Sequence, residues 1–140
     1  MTSELDAIRQ CLRSFADAQV AEFYPLWNRI NQRLGRIVTP VQFHIHRSDV
    51  GRDAAYVVLA VDVPRADGAQ ITWSVRLNAS PEQLEVVGGV EVTDDEGSHE
   101  LFSRKAIATT ADQAAKLITT FSAEVCSQDE YAELPTSGAA

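Results

Sequence analysis

Val41 to Arg47 alternates, with Val41, Phe43 and Ile45 on one face and Gln42, His44 and His46 on the other. On a strand, that spacing sets the imidazoles of His44 and His46 about 7 Å apart on one side. The separation suits two ligands of a zinc or copper ion if a third donor converges from elsewhere. His99, Glu85 and Asp62 are the available third donors. The plainer reading is a solvated sheet face, because the pair matches no established metal spacing. On that reading no metal and no cofactor is expected.

Carboxylates come in pairs: Glu85 with Glu91, Asp62 with Asp67, and the run Asp94-Asp95-Glu96. Hydrolytic acid–base work needs two carboxylates held in a cleft at a defined separation. Consecutive acids before a glycine are instead the composition of a solvated turn. The run is also too short for a calcium-binding EF-hand loop. No serine lies in a Gly-x-Ser-x-Gly context, and neither Cys11 nor Cys126 neighbours a histidine. Gly88-Gly89 has no Lys-Ser/Thr after it and is no phosphate loop; a bulge, a bend or close approach of another group is expected there. Trp27 and Trp73 fall on apolar faces and read as core. Sequence thus assigns no catalytic residue, and the chain reads as leaning away from an enzyme.

These residues sit in a chain of 140 residues, 45% hydrophobic, with a net charge of −8. That is the size of one domain and enough to bury a core. No run reaches the ~20 apolar residues of a membrane span. The first residues, Met-Thr-Ser-Glu-Leu-Asp, lack the pattern of a signal peptide, so a cytoplasmic address with reduced thiols is expected. Asn78-Ala79-Ser80 then matches a glycosylation sequon only by coincidence. Charge is unevenly placed: residues 81–140 carry three basic and twelve acidic groups, whereas residues 38–80 carry four of each. Such a balance repels nucleic-acid phosphates and suits a basic protein partner.

The positioning element is a hairpin. Tyr56 to Val63 and Gln70 to Asn78 are alternating β-rich runs joined through a Gly-containing link. Ile71, Trp73, Val75 and Leu77 share one face; Thr72, Ser74 and Arg76 share the other. Strands are also expected at 41–47, 83–92 and, shorter, 98–104. Before them, 3–22 reads as a helix capped by Ser3, with Leu5, Ile8, Leu12 and Phe15 on its apolar stripe. Pro25 predicts a break or kink near Tyr24, followed by a second helical piece ending at Gly35, with Arg29, Arg33 and Arg36 at its negative end. Thr110 and Gln113 predict a capping box for a final helix with Ala114, Leu117, Ile118, Phe121 and Val125 inward. Residues 1–128 read as one α+β domain and 129–140 as a flexible or loosely docked tail. The predicted fold is a two-layer sandwich: a five-stranded antiparallel meander, covered on one face by the N-terminal helices and the C-terminal helix.

That arrangement leaves one sheet face open. Tyr56, Val58, Asp62, Thr72, Ser74, Arg76, Glu85, Val87 and Glu91 fall on it, with Arg76 and Glu85 expected to pair across strands. Apolar groups rimmed by charges can mark a partner site. The leading expectation is a non-enzymatic protein-binding module. Its contacts would be Asp94, Asp95, Glu96, Glu100, Glu85, Glu91, Tyr56 and Arg76, and its partner a basic protein. The general profile is similar to that of immunity proteins that inhibit nuclease toxins and of secretion chaperones, although the latter would place a helix within the strand series. The alternatives are a small-ligand or enzyme fold with a pocket between sheet and helices, and a structural domain that dimerises. Monomer and homodimer are both compatible with the sequence.

Overall fold

A computed structural model of the chain describes residues 4–34, 42–47, 55–65, 68–80 and 83–133. The first helix, α1 (Glu4–Ala18), buries Ile8, Cys11, Phe15 and Ala18 at three- and four-residue spacing. The expected break near Tyr24 takes another form. Helical structure runs on through a π turn (Gln19–Phe23) directly into α2 (Tyr24–Leu34). Pro25 accounts for the turn: it has no N–H to return to the Ala21 carbonyl, and its ring crowds that carbonyl in a regular helix. Widening the turn, with the Tyr24 N–H donating to the Gln19 carbonyl, makes room without ending the helix. The extra residue also keeps the buried stripe in phase, so that Phe23, Leu26 and Ile30 continue it. Ser3, Gly35 and Arg36, assigned to the helix ends from sequence, lie outside the described residues, as does Asp67.

The protein is α+β, with one antiparallel sheet in the strand order β1 (Gln42–Arg47), β2 (Ala55–Pro64), β3 (Gln70–Ala79), β4 (Leu84–Asp94) and β5 (Gly97–Ala108). Each strand pairs with the next one in the chain. The β2–β3 link closes with Gly68 at φ +88, a left-handed backbone that glycine adopts without a Cβ clash. Val57, Leu59, Val61 and Val63 of β2 and Ile71, Trp73, Val75 and Leu77 of β3 are fully buried under the helices. Strand alternation places them there: one face of each strand is apolar, and that is the face the helices cover.

Strand β5 is longer than sequence suggested. It runs 12 residues, through Arg104 and Lys105 to Ala108, rather than stopping near Arg104. As an edge strand, it pairs on one side only and needs no continuous apolar face. Its central charges, and a bulge against Val90 and Glu91, are features that guard a free edge.

The last helix, α3 (Ala111–Cys126), packs on α1 and on β3, β4 and β5. Thr110 caps it, accepting from the Gln113 N–H at 3.1 Å. Gln113 reaches back one residue further than a capping box requires, accepting from the Thr109 N–H at 2.9 Å and Oγ1 at 2.8 Å. Among the described residues no helix is long and apolar enough to cross a membrane.

Within the stretch expected to be a flexible or loosely docked tail, Asp129–Glu133 form a 3-10 turn that is docked on the domain. Arg29 Nε and Arg33 Nη1 donate to Asp129 Oδ2 at 3.2 and 3.0 Å, and Arg29 Nη2 donates to the Cys126 carbonyl at 2.8 Å. The basic end of α2 thus caps the carbonyl end of α3. Tyr131 donates its hydroxyl to the Leu101 carbonyl at 3.0 Å, and Ala132 is buried. Residues 134–140 lie outside the described residues.

Candidate functional site

On the side away from the helices, the strand register sorts residues into four rows running across the sheet. The first row is Asp62, Thr72, Glu91 and Glu100. The second is Ala60, Ser74, Gly89 and Ser103, all small. The third is Val58, Arg76, Val87 and Lys105, and the fourth is Tyr56, Asn78, Glu85 and Ile107. Directly opposed residues in an antiparallel ladder share a face, so each row is a line of neighbours.

The first row is acidic. Thr72 Oγ1 donates to Asp62 Oδ1 at 2.6 Å. Glu91 and Glu100, both exposed, face each other across β4 and β5. Neither makes an ion pair among the described residues. Like charges directly opposite on a sheet are destabilising, so this pair costs the fold something.

The second row leaves a depression. At Gly89 a Cβ would stand 2.9 Å from the Phe102 carbonyl oxygen, so the position admits no side chain without a backbone shift. A shallow hollow of about 80 Å³ lies there, edged by Ser74, Glu91, Glu100 and Ser103. Neighbouring Gly88 has a different role. Its missing side chain is replaced by α3, with Val125 Cγ2 3.0 Å and Phe121 Cβ 3.2 Å from a notional Cβ. The glycine pair therefore serves a close helix and a close strand.

The third row carries the positive charge. The Arg76 guanidinium lies over the Tyr56 ring, 4.8 Å from its centroid. The expected Arg76–Glu85 pair is not formed, because the register sets Arg76 opposite Val87 and Glu85 opposite Asn78. Glu85 instead accepts from Asn78 Nδ2 at 3.1 Å and pairs with Lys105 Nζ at 3.3 Å. Lys105 and Ile107, the latter 57% exposed, escaped the sequence reading of this face because β5 was expected to end near Arg104. The signal was present: Arg104, Ala106 and Ala108 alternate with Lys105 and Ile107. Arg104 itself turns to the helix side, over Phe102 and against Glu124 Oε2 at 2.7 Å.

The acidic turn continues from the first row. Asp94, Asp95 and Glu96 are exposed at the tip of the β4–β5 hairpin. Asp94 Oδ1 accepts from the Glu96 N–H at 2.8 Å, and Gly97 at φ +124 closes the turn. Of the eight contacts read from sequence, Asp94, Asp95, Glu96, Glu91 and Glu100 come together at this end. Glu85, Tyr56 and Arg76 lie on the other side of the small row; Glu85 is six residues, about 20 Å, along β4 from Glu91.

Of the metal candidates, His99 is set apart from the strand pair. His44 and His46 take register positions opposite Val58 and Tyr56, and their side chains lie outside the described residues. His99 stands opposite Val92, on the helix-bearing side of the sheet. Among the described residues no three His, Cys, Asp or Glu side chains are placed to hold a metal ion.

Both cysteines are free and buried. Burial pushes the Cys11 thiol up to about 11, with Asp112 adding to the shift. Burial, then Glu22, raises Cys126 further, against a lowering by Arg29. Neither is set up as a thiolate nucleophile. No family model, no curated protein and no solved structure matches the chain.

Proposed function

We propose that this protein is a non-enzymatic protein-binding module whose docking surface is the open face of its sheet. The partner puts basic groups against the acidic end, formed by Glu91, Glu100, Asp94, Asp95 and Glu96. The observation that carries this reading is the unneutralised Glu91–Glu100 pair. A fold that keeps two carboxylates directly opposed, with no ion pair to either among the described residues, bears a small destabilisation that an incoming cation removes. Val58, Val87, Tyr56 and the exposed Ile107 add apolar area beside the charges, the mixture found at protein interfaces. Binding of this kind neutralises a basic protein, as an inhibitor or a carrier does. Two buried free thiols suit a reducing, cytoplasmic setting.

The test is a pull-down from host lysate at low and moderate salt. It compares the wild type with a variant carrying Asp94→Lys, Asp95→Lys and Glu96→Lys, and with a Glu91→Lys/Glu100→Lys variant. A basic protein retained in stoichiometric amount by the wild type and lost from both variants supports the reading. Equal retention by all three sinks it.

A further inference from the structure

The open face carries opposite charges on opposite sides of its small row. Glu91 and Glu100 stand on one side; Arg76 and Lys105 stand on the other. Arg76 meets no carboxylate among the described residues, only the Tyr56 ring. The face therefore holds an unmatched anion pair and an unmatched cation, separated by a row with almost no side-chain bulk.

We infer that the open face pairs with the same face of a second copy of this chain, as a two-fold dimer whose axis runs along the row Ala60, Ser74, Gly89 and Ser103. This rests on the protein-binding reading above and names the second copy as a partner of that surface. Two identical faces can meet only by rotation about an axis lying in the interface. Rotation about an axis parallel to the strands lays the acidic row on the acidic row. Rotation about the small row lays the acidic row of each copy on the basic row of the other, twice over. Charge selects the second arrangement, since like-charge contact across an interface is strongly unfavourable. The small row lies on the axis, where the two sheets must approach to about 10 Å. Val58 and Val87, in the basic row, supply apolar contact beside Arg76 and Lys105.

The footprint is modest. The four rows, each drawn from four strands, make a patch about 15 Å by 20 Å. That is below the size of a stable dimer interface and calls for weak, transient association, in the high-micromolar range or above. The acidic turns, Asp94 to Glu96, project beyond the acidic row at opposite ends of such a dimer.

Sedimentation velocity of the full chain, from about 5 to about 500 µM, reads the association expected of a patch this size. Two variants are run beside it, Arg76→Glu/Lys105→Glu and Glu91→Lys/Glu100→Lys. All four positions are exposed, and circular dichroism melts verify folding. The expected result is a wild type whose mass rises towards the dimer's with concentration, two variants that each stay at monomer mass, and an equal mixture of the variants that regains the dimer. Dimerisation of the wild type that weakens with added salt follows from the crossed pairing, since like rows laid on like would be relieved by salt; recovery on mixing shows that the four charged positions lie in the contact. A wild type that remains monomeric at the highest concentration overturns the inference, as does a mixture that stays monomeric. Binding of an arginine-rich peptide to the Arg76→Glu/Lys105→Glu variant separates the two readings. Peptide binding by a wild type that never dimerises overturns self-pairing alone; loss of both overturns the protein-binding face as well.

Discussion

Glu91 of β4 and Glu100 of β5 stand directly opposite each other on the side of the sheet away from the helices, with no cation paired to either among the described residues. The relationship ties stability to the proposed docking, because the same repulsion that weakens the folded chain would reward a basic partner. Replacing Glu91 by Lys converts the opposed pair to an attractive one. The expected gain in stability is about 0.5 kcal/mol, read as a higher urea midpoint with an unchanged slope. Loss of partner binding accompanies the gain. A lower urea midpoint would show that Glu91 has a favourable neighbour.

The two adjacent glycines make a second prediction, with different causes at each position. A Cβ at Gly88 meets Val125 Cγ2 at 3.0 Å and Phe121 Cβ at 3.2 Å, both side-chain atoms of α3. Gly88→Ala is expected to cost about 1–3 kcal/mol by overpacking, and Val125→Ala in the same chain recovers part of it. A Cβ at Gly89 meets a backbone oxygen at 2.9 Å, so Gly89→Ala has no side-chain change to rescue it. Thermal melts of each glycine variant, with and without Val125→Ala, decide the point. Full rescue of Gly89→Ala by Val125→Ala would contradict the assignment of the two faces.

The docked C-terminal turn gives a third. Asp129 accepts from both Arg29 and Arg33, and Tyr131 donates to the Leu101 carbonyl. Ending the chain at Gln128 removes all three contacts and uncovers Ala132's site in the core. The truncated chain is expected to lose about 2 kcal/mol or more. The arginines are substantially exposed, so Asp129→Ala alone should cost only about 1 kcal/mol or less. An unchanged melting temperature on truncation would mean that the turn adds nothing to the domain.

Cysteine titration gives a fourth, and its sign is fixed by the raised thiol values. In the native state Cys11 holds its proton up to about 11, against about 8.5 in an unfolded chain. The unfolded state thus releases this proton first as pH rises. Stability from the thiol is complete below about pH 8.5 and is lost as pH climbs through about 11. Cys126, raised in the same direction, adds to the loss at the alkaline end. The expected result is a urea midpoint that falls between pH 9 and 11, and alkylation of either thiol at neutral pH that proceeds only after unfolding. Rapid labelling of the native protein would contradict the burial.

Much of the fold was legible because its signals are local. Alternation at Ile71, Trp73, Val75 and Leu77 reports a half-buried strand directly, and Thr110 and Gln113 announce the start of α3. What was missed depends on contacts distant in sequence. Asp129 meets Arg29 and Arg33 across about a hundred residues, so nothing in 129–133 alone tells a tail from a docked turn. The pairing of Arg76 with Tyr56 rather than Glu85 turns on register: strand alternation gives the face of each residue but not its neighbour across the ladder. The length of β5 was hidden because an edge strand tolerates charge in its middle. For the same reason the acidic and basic rows, each assembled from several strands, could not be read from any single stretch.

The central claim is that the open face docks proteins through its acidic end. The most direct measurement is amide-shift mapping by NMR while an arginine-rich peptide is titrated into the protein. The account predicts saturable shifts concentrated at Asp62, Glu91, Asp94 to Glu96 and Glu100, abolished by Glu91→Lys/Glu100→Lys. Shifts spread evenly over the helical acids Asp17, Glu22, Asp112 and Glu124 would contradict it, showing attraction to net charge with no docking surface.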